Sequence, residues 1–136
     1  MKTLLTFIAA LLLFLPDYAN DRPIKKYDDA NLKIYTHASA AGTAAYIFQD
    51  NGNVTYVLDY RDGSYYEYPG QYSISDNQIK IDLQAGKGKN NMGIEMSQLI
   101  PKRKHIELQV QSEDVIFDDE HFKHGRFELL ENQKAK

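Results

Sequence analysis

The chain of 136 residues contains no cysteine. That excludes disulfides and a lipid-modified cysteine anchor, although an exported chain is free to form bridges. Charge of either sign is modest. Lys and Arg number 16 against 19 Asp and Glu, for a net charge of −3, and no basic stripe is present. Nucleic acid is excluded as a partner on that ground, because neutralising phosphates takes clustered Lys and Arg. The one basic cluster, Lys102-Arg103-Lys104, follows Pro101 and reads as a solvated turn. Long apolar runs are missing too. The stretch from Leu4 to Leu15 has twelve residues, short of the roughly 20 that a membrane helix needs.

Reaction motifs are equally scarce. Gly86-Lys87-Gly88-Lys89 lacks the spacing and the following helix of a phosphate loop. His37 and Ser39 stand too close in sequence to form a triad by themselves, and no nucleophile-elbow context occurs. His105 starts a strand beside the basic turn and reads as a solvated rim position. Asp59, Glu67, Asp82 and Glu107 alternate onto a solvent face. Raising a carboxylate pKa for acid–base work takes burial or a like-charged neighbour. The sequence predicts no catalysis and no cofactor.

What the chain does contain begins with a leader. Lys2 precedes the apolar stretch, and Pro16 breaks any helix after it. This pattern predicts a signal peptide over residues 1–19, cut after Ala19. Asp17 sits where a small residue is preferred, so an uncleaved anchor is the other possibility, and it is the only membrane contact expected. Export without cysteine suits a bacterial periplasm or secretome. Residues 20–31 read as a polar lead-in, 32–130 as one β-domain, and 131–136 as a frayed tail.

Within that domain, three turns set the register. Asp50-Asn51-Gly52 and Arg61-Asp62-Gly63 suit three-residue hairpin loops with glycine in the left-handed position. They pair Phe48 with Val54, Tyr46 with Tyr56, Leu58 with Tyr66 and Tyr56 with Tyr68. Asp76-Asn77 suits a two-residue turn, pairing Ile74 with Ile79 and Tyr72 with Ile81. Directly paired residues share a face and side chains alternate. The predicted buried face therefore holds Tyr46, Phe48, Val54, Tyr56, Leu58, Tyr60, Tyr66, Tyr68, Tyr72, Ile74, Ile79, Ile81 and Leu83. Thr55, Asp59, Arg61, Glu67, Ser73, Lys80 and Asp82 fall outside. A one-residue slip would scramble this partition.

Elsewhere the reading is coarser. Leu32 to Thr36 is a short strand, and Ala38 to Ala45 is a short helix or a loop. Pro69-Gly70 marks a bulge or corner, and Gln84 to Gly93 a mobile loop. Ile94 to Ile100 is a strand. Ile106, Leu108 and Val110 alternate inward, with Val115 and Phe117 returning opposite Val110 and Leu108. Phe127 and Leu129 share a face near the end. The sum is an all-β antiparallel meander of eight or nine short strands, a barrel with a sandwich as the alternative. Closure favours the barrel because it removes exposed edges.

The stretch Tyr46-Ile47-Phe48-Gln49-Asp50-Asn51-Gly52, followed by Gly70-Gln71-Tyr72-Ser73-Ile74-Ser75-Asp76-Asn77-Gln78-Ile79, resembles the bacterial lipocalin-like domains. The likeness covers roughly residues 32–83. It implies a calyx-like barrel, often of unknown function, which in some members binds a small apolar molecule.

The tyrosines are the leading candidate site. Tyr46, Tyr56, Tyr60, Tyr66, Tyr68 and Tyr72 are predicted inward, and a buried hydroxyl without a partner costs about 1–3 kcal/mol. Either the hydroxyls reach the rim of a filled core, or they line a wet cavity that water or a ligand completes. His121 and His124, with the carboxylates of Asp118, Asp119 and Glu120, have metal-ligand types but read as a solvated loop. The expected function is an exported lipocalin-like binder of a small, partly apolar ligand. The alternative is an envelope protein-interaction module of inhibitor or immunity type, using Tyr65 and the glycine-rich segment 84–93. Oligomeric state is not readable from the residues.

Overall fold

The structure is a computed structural model and describes residues 32–118 and 125–130. The leader, the lead-in, His121, His124 and the tail lie outside the described residues. Among the described residues ten strands run in chain order: β1 (Leu32–Ser39), β2 (Gly42–Gln49), β3 (Asn53–Tyr60), β4 (Tyr65–Ser75), β5 (Gln78–Leu83), β6 (Gly86–Lys89), β7 (Glu95–Leu99), β8 (His105–Ser112), β9 (Val115–Asp118) and β10 (Gly125–Leu129). Eight of them, all but β6 and β7, close an antiparallel ring in the order β1-β2-β3-β4-β5-β8-β9-β10. The ring shuts through Tyr35 opposite Leu129 and Thr36 opposite Glu128. Closure rules out the sandwich.

The three turns behave as their chemistry dictates. Gly52 and Gly63 take positive φ, at 88° and 96°. Asp76 and Asn77 both sit near the left-handed helical region, at 51° and 63°, which is the two-residue turn that matches strand twist. Every cross-strand pair expected from them is present. Inward side chains from all eight ring strands form one core, with Tyr46, Phe127, Ile81 and Leu108 among the most buried.

Several expectations are corrected. Residues 38–45 extend β1 and open β2, with the chain reversing at Ala40-Ala41, so they form neither helix nor loop. Pro69-Gly70 does not interrupt β4. The irregularity lies on its neighbour, where Leu83 pairs with Gly70 but Lys87 pairs with Glu67, one residue out of step. There the sheet forks. β5 continues along β4 as β6, β8 follows β5, and β7 follows β6 out of the ring. The segment 84–93 is thus partly strand rather than loop.

The outer face is not uniformly solvated. Ile34, Ala45, Ile47 and Val57 point away from the interior yet are buried in a second cluster with Leu32 and Leu130 packed on it. Glu67, expected outside in solvent, is buried as well. Ile74 is 61% exposed, although alternation predicts it inside. β4 has no β3 partner beyond Gln71, so Ile74 overhangs the barrel end. A bulge between β8 and β9 pairs Val110 with Ile116 but Ser112 with Val115. It turns Ile116 inward and leaves Phe117 half-buried, reversing the expected phase.

Candidate functional site

The six inward tyrosines divide by height along the barrel. At the end carrying the β2–β3 and β4–β5 turns, the interior is filled. Phe48 meets Tyr35 and Tyr72 edge-on, at 5.9 and 4.9 Å between ring centres. The hydroxyls escape to the rim, where Tyr72 donates to the Gln49 carbonyl and Tyr35 to the Glu113 carbonyl, both at 2.6 Å. Tyr72 is therefore a packing residue, apart from the other five candidates.

Mid-barrel, Tyr46 stacks on Tyr56 at 4.7 Å and packs against Phe127 at 4.9 Å. Its hydroxyl donates to the Asp118 carboxylate. Asp118 is fully buried, with 0% exposure. Arg103 answers it with two parallel bonds, Nη1 to Oδ1 at 2.9 Å and Nη2 to Oδ2 at 2.7 Å. Buried charge survives only when paired and hydrogen-bonded this way. Burial, with Asp118 next to it, pushes the Tyr46 hydroxyl pKa far up, and burial does the same to Tyr56. Burial works against the Arg103 charge, but the bonds to Asp118 outweigh it and the pKa rises.

Neither partner of this pair was expected inside. Lys102-Arg103-Lys104 read as a solvated turn, and the structure corrects that for Arg103. Asp118 reads from sequence as part of a solvated loop, and it closes β9 instead. The β8–β9 bulge moves Ile116 into the core, and Asp118, two residues on, shares its face. No local residue pattern announces that bulge.

Above the pair, at the end carrying the β3–β4 turn, the interior opens into a cavity of about 690 Å³. Tyr56, Tyr60, Tyr66 and Tyr68 line it, with Leu58, Leu83 and Ile106 as its apolar wall. Residues 100–103 cross one side, placing Arg103 on the floor beside Asp118, while the exposed Asp62 and Lys102 edge the mouth and the buried Ser64 lines the wall. Tyr46 lies beneath and does not line it. The volume falls within the roughly 300–1,000 Å³ of small-molecule sites. Burial raises the Tyr60 and Tyr68 pKa values. The Ser64 hydroxyl and backbone N–H hold Asp62 below its usual carboxylate range.

A shallower recess of about 420 Å³ lies outside the barrel, in the fork, between Thr55, Glu67 and Pro69 on one side and Ser97 and Gln98 on the other. Gln98 carries φ of 55° there, beside the β6–β7 bulge. Among the described residues, no three metal-ligating side chains come together. Comparison with known protein families, curated proteins and solved structures finds no match.

Proposed function

We propose that the protein is an exported binder that holds a small, partly apolar molecule in the Tyr-lined end of its barrel and performs no chemistry on it. One contrast carries this reading. At the filled end, tyrosine hydroxyls are bonded to backbone carbonyls over packed rings. At the other end, four tyrosines surround a cavity with an apolar wall and a polar floor. Such a lining offers stacking surface and orienting hydrogen bonds together. The buried carboxylate beneath it is engaged by Arg103, which favours binding over acid–base work. The Lys2 to Leu15 pattern and the lack of cysteine support export to a bacterial periplasm or beyond. Native mass spectrometry of protein purified without denaturation tests the binding reading. A bound molecule of a few hundred daltons, lost on acid unfolding, is expected. Ligand-free protein that also binds no apolar probe contradicts it.

A second reading, an envelope protein-interaction module, has its own support at the fork. β7 is an outer strand of the sheet. Met92, Ile94 and Ile100, around it, are three of the four large hydrophobics exposed among the described residues. Tyr65, half-buried on β4, pairs with Lys89 of β6 beside them. An open edge flanked by apolar side chains suits addition of a partner strand. A stable hetero-complex that Met92→Ser and Ile94→Ser abolish would favour it.

A further inference from the structure

We infer that the molecule held in the cavity is flat and uncharged. This rests on the cavity being a binding site. Charge balance is the first ground. Arg103 on the floor is matched by Asp118 behind it, and Lys102 and Asp62 both edge the mouth. Two cations thus face two carboxylates. Burial opposes ionisation and raises the pKa values of Tyr56, Tyr60 and Tyr68 above the usual tyrosine value. They add dipoles to the wall and no charge. A carboxylate or ammonium entering there gives up its hydration and meets a wall already in balance. A neutral carbonyl gives up far less.

Ring geometry is the second ground. Tyr56 and Tyr68 lie near-parallel at 6.5 Å, and Tyr60 and Tyr66 meet edge-on at 6.0 Å. Faces and edges so placed receive a flat aromatic body.

Naphthalene-2-carboxamide and naphthalene-2-carboxylate form a matched pair, alike in ring and size and different in charge. Titration calorimetry of the full chain at neutral pH is expected to show the amide binding at least about tenfold more tightly. Asp118→Asn keeps a hydrogen-bonding group beside Tyr46 and Arg103 but removes the balancing charge. In that variant the carboxylate is expected to gain at least about tenfold over its affinity for the native chain. Equal or tighter carboxylate binding by the native chain overturns the neutral-ligand inference and leaves the binding-site reading intact. So does an Asp118→Asn variant that folds and shows no gain. Failure of both probes at millimolar concentration overturns the binding-site reading itself. The comparison on the native chain holds whether or not the variant folds.

Discussion

Arg103 and Asp118 meet edge to edge inside the barrel, through bonds of 2.9 and 2.7 Å on a carboxylate without solvent exposure. The pair ties the lead-in to β8 to the last residue of β9. Arg103→Met leaves the Asp118 charge without its guanidinium in a low-dielectric interior. A loss of about 3–5 kcal/mol in urea unfolding is expected. Arg103→Met combined with Asp118→Asn is expected to recover most of it, because no charge then remains buried. Arg103→Lys recovers part, since an ammonium cannot form the two parallel bonds.

The fork depends on a close backbone approach. A Cβ at Gly86 would lie 2.0 Å from the Glu67 carbonyl oxygen. Gly86→Ala must push β6 off β4, at about 3 kcal/mol. Gly63→Ala, at the β3–β4 turn, meets no atom within 4 Å. Its cost is limited to its positive φ, about 1–2 kcal/mol. Hydrogen exchange separates the two. Gly86→Ala is expected to speed exchange across β6 and β7 while the β1–β3 amides stay protected.

Alkali is expected to unfold the protein cooperatively. Burial raises the Tyr46 and Tyr56 pKa values in the folded state above the unfolded value near 10. The folded state then binds more protons than the unfolded chain above that pH. Stability from these two groups is complete below pH 10 and declines above it. With both contributing, the slope is about 2.7 kcal/mol per pH unit. Absorbance at 295 nm should show these two phenols ionising together with the loss of β circular dichroism. Tyr46→Phe is expected to reduce the slope.

Ile74 and Ile79 are direct cross-strand partners with opposite fates, 61% and 4% exposed. Ile79→Ala removes packing from the filled end and is expected to cost about 2–4 kcal/mol. Ile74→Ala is expected to stay within about 0.5 kcal/mol of the native chain. Thermal unfolding of both variants checks the contrast.

Ile74 also shows where sequence reasoning stops. Register is local: Gly52, Gly63 and Asp76-Asn77 each dictate a turn, and from those turns the alternation of Tyr46 through Leu83 follows. Which part of a strand finds a neighbour on both edges is a property of the closed ring, and Ile74 falls just beyond it. Phase is similarly exposed to bulges. One extra residue between β8 and β9 exchanged Phe117 for Ile116 and brought Asp118 inward. Arg103 was hidden for a related reason, because its run of cations reads as solvated unless the carboxylate awaiting it is known. Val57 and Ile47 alternate with the inward Tyr46 and Tyr56 and so lie on the outer face. That this part of the outer face is buried depends on contacts between distant segments, which alternation does not encode. Four of the six candidate tyrosines line one cavity because β3 and β4 run side by side there. Tyr72 is carried past it by the length of β4.

The most direct test of binding at the Tyr-lined end is a ring-resolved NMR titration. Protein with labelled tyrosine rings would be titrated with naphthalene-2-carboxamide, and each resonance assigned by Tyr→Phe substitution. Binding in the cavity predicts saturable shifts at Tyr56, Tyr60, Tyr66 and Tyr68, with Tyr72 and Tyr35 unmoved at the filled end. Shifts confined to Tyr65 or Tyr72, or no saturable shift at the four lining rings, would contradict it.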